Sequence, residues 1–256
     1  MLEVRDLQCW RNDKKLFSSL AFKLNRGSVL QITGPNGSGK TTLLRILAGL
    51  HRPTQGSMLW KEQPVAFDAH YLRNISYNLA YLGHKPGIKA GLTALEFLKH
   101  TLAGEVGVKS LLWTCKFVNN RDLTPVFPPI FQSRDLTPFL HTVGLKGFEK
   151  ELCGTFSEGQ KQRLALARLL IQPKFLWLLD EPFSHLDTNG RILLKTMIRN
   201  HCKEGNLVVM VSHEDLDFGD FSAGTLNLEN SDNLRNSDNL GNLDNLENSD
   251  NLGSFK

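Results

Sequence analysis

Three short apolar runs stand out from a chain that is otherwise finely mixed. Ser28–Thr33, Phe175–Leu179 and Leu207–Val211 are five or six residues long and rich in β-branched, leucine or aromatic side chains. Unbroken runs of that length predict buried strands. The start, Met1-Leu2-Glu3-Val4-Arg5-Asp6, alternates apolar and polar and predicts a half-buried strand. Two other stretches, Leu43–Ala48 and Leu164–Leu170, space their apolar residues as amphipathic helices do. Strands alternating with helices give an α/β fold. None of the apolar runs approaches the roughly 18–20 residues needed to cross a bilayer, and the start lacks the apolar core of a signal peptide. A role at a membrane would therefore be a docked one.

Composition narrows the picture only slightly. The 256 residues are 41% hydrophobic, ample for one globular domain, divided at most into two lobes. Thirty basic against 26 acidic residues give a net charge of +4 with no long Lys/Arg run, so no nucleic-acid partner is expected. Cys9, Cys115, Cys153 and Cys202 are scattered without a CxxC pair, which reads as free thiols in a reducing compartment.

Chemistry enters where the first buried strand ends. Ser28–Thr33 runs straight into Gly34-Pro35-Asn36-Gly37-Ser38-Gly39-Lys40-Thr41-Thr42, followed by the Leu43–Ala48 helix. Strand, glycine-rich loop and helix is the context in which backbone N–H groups cradle phosphates. Gly34, Gly37 and Gly39 let the loop turn its amides inward, and the helix start adds its positive end. Lys40 supplies a charge to the β/γ-phosphates, Thr41 a hydroxyl for Mg²⁺, and Thr42 assists at the phosphates.

The strand Phe175–Leu179 ends in Asp180-Glu181-Pro182. Carboxylates at the end of a parallel strand lie where α/β sheets bind ligands. Asp180 is the expected Mg²⁺ partner, and Glu181 the expected general base for an attacking water. Upstream, Phe156-Ser157-Glu158-Gly159-Gln160 opens the Leu164–Leu170 helix with Ser157 as N-cap. That gives a second helix start with a hydroxyl and free N–H groups.

These segments, with Ser184-His185-Leu186-Asp187 and Ser212-His213, resemble the nucleotide-binding domains of ABC transporters in order and spacing, over roughly residues 1–228. The resemblance implies a P-loop NTPase with a mixed sheet: an α/β lobe of about residues 1–85 and 160–228, and an inserted helical subdomain of about 90–160. It implies ATP and Mg²⁺ as cofactors, and two copies paired head to tail. Ser157, Gly159 and Gln160 of one copy would then face the ATP on the other's phosphate loop. Asp187 would link the two sites, and His213 would hold the γ-phosphate and water.

Tyr81-Leu82-Gly83-His84-Lys85-Pro86-Gly87-Ile88-Lys89 with Leu92-Thr93-Ala94-Leu95-Glu96 looks like the cytochrome c maturation branch of that family, as does Leu7-Gln8-Cys9-Trp10-Arg11. That branch implies membrane-spanning partner subunits of the CcmB and CcmC type. It also implies a peripheral place on the cytoplasmic face of the inner membrane, and work on haem export or release of a haem-loaded chaperone. Other readings remain open: an ABC motor for another substrate, a soluble ABC ATPase, or a non-hydrolysing module.

Three positions depart from the usual family pattern. His84 stands where most relatives carry a Gln that reaches Mg²⁺, so the resemblance adds it to Thr41 and Asp180 at the metal site, and an imidazole can replace one of the amide's hydrogen bonds. Glu158 stands where the signature usually has a small residue. The usual adenine-stacking aromatic is displaced: Arg11 aligns with it and Trp10 is adjacent, and either could stack on the purine, with Trp10 the preferred one. Finally, about 106–134 reads as a repeat-derived insertion, with Arg-Asp-Leu-Thr-Pro at both 121–125 and 134–138. From about 229 to 256 a hexapeptide repeat of the Asn-Ser-Asp-Asn-Leu type is expected to be disordered, because one Leu per repeat buries too little.

Overall fold

Every apolar run becomes a strand covered on both faces. The structure, a computed structural model, describes residues 1–11, 14–65, 78–102, 135–171, 174–214 and 223–228. The insertion around 106–134 and the repeat tail lie outside these, apart from the flank of the insertion.

Two sheets carry the fold. Strands β1 (Leu2–Arg11), β2 (Lys14–Leu24), β4 (Gln55–Trp60) and β5 (Gln63–Pro64) form an antiparallel sheet in the order β2-β1-β4-β5. Strands β3 (Val29–Thr33), β6 (Leu79–Leu82), β7 (Leu176–Asp180), β8 (Leu207–Val211) and β9 (Ala223–Asn227) form a wholly parallel sheet in the order β6-β7-β8-β3-β9. The mixture of strand directions is thus divided between two sheets.

The parallel sheet explains the unbroken runs. Leu176, Leu178, Leu207, Val209 and Val211 point into a core shared with the antiparallel sheet and helix α1 (Lys40–Leu47). Trp177, Leu179, Val208 and Met210 point into a second core. That core is shared with α2 (Ala94–Leu102), α3 (Thr137–Thr142), α4 (Glu158–Ile171) and α5 (Thr188–Lys203). With both faces covered, polar alternation has no place. The antiparallel sheet keeps it, with one interruption. Leu2 and Val4 are buried, then Leu7 and Cys9. Parity flips at an irregularity between Val4 and Leu7, where Asp6 adopts φ 46°.

On the second core, His201 of α5 stacks on Trp177 with ring centroids 3.8 Å apart and planes 15° off parallel. His201 is 6% exposed, and its Nε2 lacks a hydrogen-bond partner. Burial pulls its pKa down to about 4, against hydrogen bonding to the backbone of Leu207 and Phe175. The ring is therefore neutral in the fold at neutral pH. Its share of stability is whole above the unfolded pKa of 6.5 and is lost as pH falls towards about 4. At about 1.4 kcal/mol per pKa unit the loss is on the order of 3 kcal/mol. Thermal melts of wild type and His201→Phe should diverge across that window, with the variant's curve flatter. Parallel curves would show that His201 does not titrate this way.

Candidate active site

The parallel order β6-β7-β8-β3 brings four strand ends side by side at one edge. The segment with His84 follows β6, Asp180-Glu181 ends β7, Ser212-His213 follows β8, and the glycine-rich loop follows β3. Segments scattered over 180 residues of sequence converge there because adjacent parallel strands all finish at one edge.

In the loop, Gly39 precedes α1 at φ 98°, a conformation that side-chain-bearing residues rarely adopt. Lys40 is 7% exposed, and its Nζ donates to the carbonyls of Gly34 (2.7 Å) and Pro35 (2.9 Å). The Ser38 hydroxyl is buried without a partner. Pro35, Asn36 and Gly37 complete the turn, with Ser38 N–H donating to Pro35 O. Thr42 is buried at the helix start beside Thr41.

Asp180 lies across from the loop. Burial raises its carboxyl pKa, the Thr41 hydroxyl lowers it by hydrogen bonding, and neighbouring Glu181 raises it again. Its Oδ2 is buried with no hydrogen-bond partner. An anionic oxygen left bare beside a threonine hydroxyl suits a hard divalent cation. Among the described residues no cluster of three or more His, Cys, Asp or Glu is able to hold a metal. One carboxylate and one hydroxyl, with the remaining positions left to water and phosphate, is how Mg²⁺ is commonly bound.

Glu181 sits between two imidazoles. His213 Nε2 is 3.6 Å from its Oε1, and His84 Nδ1 is 3.8 Å from its Oε2. Its backbone has φ 51°, a strained value for a non-glycine residue. Four bonds hold that geometry: Glu181 N–H to Val211 O, and the Ser184 N–H and hydroxyl to Glu181 O, with Gln162 Nε2 donating to Pro182 O next door. The strain aims the carboxylate between the histidines.

The signature segment opens α4. Ser157 N–H donates to Gln160 Oε1 (2.9 Å) while Gln160 N–H donates to Ser157 Oγ (3.2 Å), a reciprocal cap on α4. Gly159 packs against the turn after Glu181, since a Cβ there would lie 2.9 Å from His185 O. Glu158 turns outward and pairs with Lys161 at 2.7 Å, which lowers its pKa. Asp187 caps α5 by accepting from Gly190 N–H (3.0 Å) and pairs with Arg163 of α4. Trp10, 51% exposed, pairs in register with Lys15, next to Leu16, which packs on Gly39. The Trp10 ring is thus free to meet a planar ligand, on a strand whose neighbour β2 reaches the loop through Leu16.

Sequence reasoning missed the supporting residues. Gln31 Nε2 donates to Glu214 O (2.7 Å) and Ser212 O (3.3 Å), and Arg191 pairs with Glu214, so the turn bearing His213 is held from both sides. The signal was a lone Gln inside the apolar β3. Arg168 and Gln162 carried no such signal, because polar residues on an amphipathic helix read as its wet face.

Residues 17–184 match the ABC transporter family. Proteins named cytochrome c biogenesis ATP-binding export protein CcmA, from Escherichia coli and Shigella boydii, are 38% identical over 229 residues, covering 89% of this chain and 96% of theirs. An ATP-binding cassette solved as a dimer in a post-hydrolysis state with ADP and Pi aligns with a TM-score of 0.64 at 24% identity. It covers 84% of this chain and 88% of that one.

Proposed function

This chain belongs to the ABC transporter family, as an ATP-hydrolysing subunit of cytochrome c biogenesis, and from that premise we propose how its residues do the work. The observation that carries the reading is the meeting of Lys40, Thr41, Asp180, Glu181 and His213 at one sheet edge.

In this reading, the loop of residues 34–42 wraps the ATP phosphates with its amides and Lys40, and Trp10 stacks on the adenine. Thr41 and Asp180, with His84 beside Asp180, would hold Mg²⁺, which would neutralise charge on the phosphate oxygens. Glu181 accepts a proton from the attacking water as its oxygen bonds to the γ-phosphorus. The bond to the bridging oxygen breaks, and ADP leaves with that electron pair. His213 orients the water and γ-phosphate, and His84 flanks the other oxygen of Glu181. Ser157, Gly159 and Gln160 of one copy serve the ATP of a second copy paired head to tail. Asp187 joins the two sites.

The motor works through separate membrane-spanning subunits of the CcmB and CcmC type, at the cytoplasmic face of the inner membrane. Among the described residues no helix is long and apolar enough to cross a membrane. ATP energy drives haem export or the release of a haem-loaded chaperone. Capture of the full-length chain from detergent-solubilised membranes should bring those cytochrome c maturation subunits with it. Recovery of a lipid or drug permease in their place would overturn this assignment.

A further inference from the structure

We propose that Arg168 is a positioning residue that fixes the His84 turn against Glu181, and so ties the signature helix to the hydrolytic carboxylate. The proposal rests on the reading that His84 acts at Glu181.

Arg168 lies ten residues into α4, about 15 Å along the helix from its start beside Ser157. Its guanidinium crosses to the segment after β6. Nη2 donates to Tyr81 O at 3.0 Å and Nη1 to Pro86 O at 3.3 Å. Those carbonyls bracket His84, so one planar fork closes both ends of the turn. The fork has a fixed shape, which a point charge on a flexible stem does not reproduce.

The turn needs such a fastener. β6 is the edge strand, and its ladder with β7 ends at the Leu82–Leu179 pair. Among the described residues, no backbone-to-backbone hydrogen bond holds 83–88. On the other side the Tyr81 side chain hydrogen-bonds Arg45 of α1, within electrostatic reach of Asp180. The His84 turn is thereby tied to the helix of the phosphate loop through Arg45 and to the signature helix through Arg168.

Stability alone does not account for Arg168. Burial pulls its pKa down to about 10, so it remains charged at neutral pH, and among the described residues no carboxylate pairs with it. A half-buried cation without a counter-charge is a poor stabiliser beside an apolar residue of like volume. Its two bonds are instead placed around one functional side chain.

The test uses the full-length chain with saturating MgATP and four variants: Arg168→Met, Arg168→Lys, His84→Ala and the Arg168→Met/His84→Ala pair. We expect Arg168→Met to lower kcat tenfold or more with ATP affinity held within twofold, because the phosphate loop is untouched. Arg168→Lys, which keeps the charge and loses the fork, should fall between. His84→Ala should lose a similar factor, and the pair should be within twofold of the slower single variant, since both remove one arrangement. Wild-type turnover in Arg168→Met, or ATP affinity falling in step with kcat, would overturn the proposal. Losses that multiply in the pair would overturn it while leaving His84 its role. A slow Arg168→Met beside a fully active His84→Ala would overturn both. If Arg168→Met does not fold, Arg168→Lys with and without His84→Ala closes the same cycle: non-additive losses support the proposal and multiplying losses overturn it.

Discussion

Lys40→Met is expected to weaken ATP binding by roughly 10- to 100-fold and to take turnover down at least as far. The ammonium is almost wholly buried and is held by two carbonyls of its own loop, with Nζ 2.7 Å from Gly34 O and 2.9 Å from Pro35 O. Those bonds pre-place a positive charge inside the cradle before phosphate arrives. A hydrogen bond to a charged group is worth about 1.5–3 kcal/mol, and 1.4 kcal/mol is a factor of ten in affinity. Methionine matches the stem closely enough to preserve packing but offers neither charge nor donor, and it leaves two loop carbonyls unpaired. Calorimetric titration of both proteins with ATP, after thermal melts have shown that both fold, reads the effect. An unchanged Kd would mean that the loop does not bind phosphate through Lys40.

Much of this arrangement was legible in the sequence, and the reason is physical. Short unbroken apolar runs report strands covered on both faces, and the chemistry sits within a few residues of their ends. Ser28–Thr33, Phe175–Leu179 and Leu207–Val211 therefore located both the sheet and the edge where the candidate site residues gather. The cap at Ser157 was readable because a hydroxyl ahead of an amphipathic run, with Gln160 three residues on, has little other use.

Three features were not legible. The φ of 51° at Glu181 leaves no trace in composition, because the residue is chosen for its carboxylate and the strain is held by Val211, Ser184 and the turn. The separation of β1, β2, β4 and β5 into their own antiparallel sheet depends on pairing partners that alternation does not name. The direction of Glu158 was open on sequence grounds, and its side chain faces Lys161. The i,i+3 spacing of these opposite charges was the available clue.

The position of His84 sharpens the chemistry. The histidine approaches one carboxylate oxygen of Glu181, and His213 approaches the other. The two oxygens of Glu181 are thus each faced by a histidine, and the carboxylate is the centre on which the hydrolytic reading depends.

Glu181→Gln is therefore the most direct measurement of that reading. Glutamine keeps the size of the side chain and one oxygen, and removes the ability to take a proton. General-base catalysis contributes about 10²–10⁴ in rate. With the phosphate loop, Asp180 and Trp10 intact, ATP binding has no reason to fail. Phosphate release at saturating MgATP, measured beside ATP affinity on the same full-length preparation, should show turnover down by roughly 100-fold or more with affinity within a few-fold of wild type. Turnover at the wild-type rate in Glu181→Gln would contradict the assignment of this carboxylate as the base, and with it the account of how the chain hydrolyses ATP.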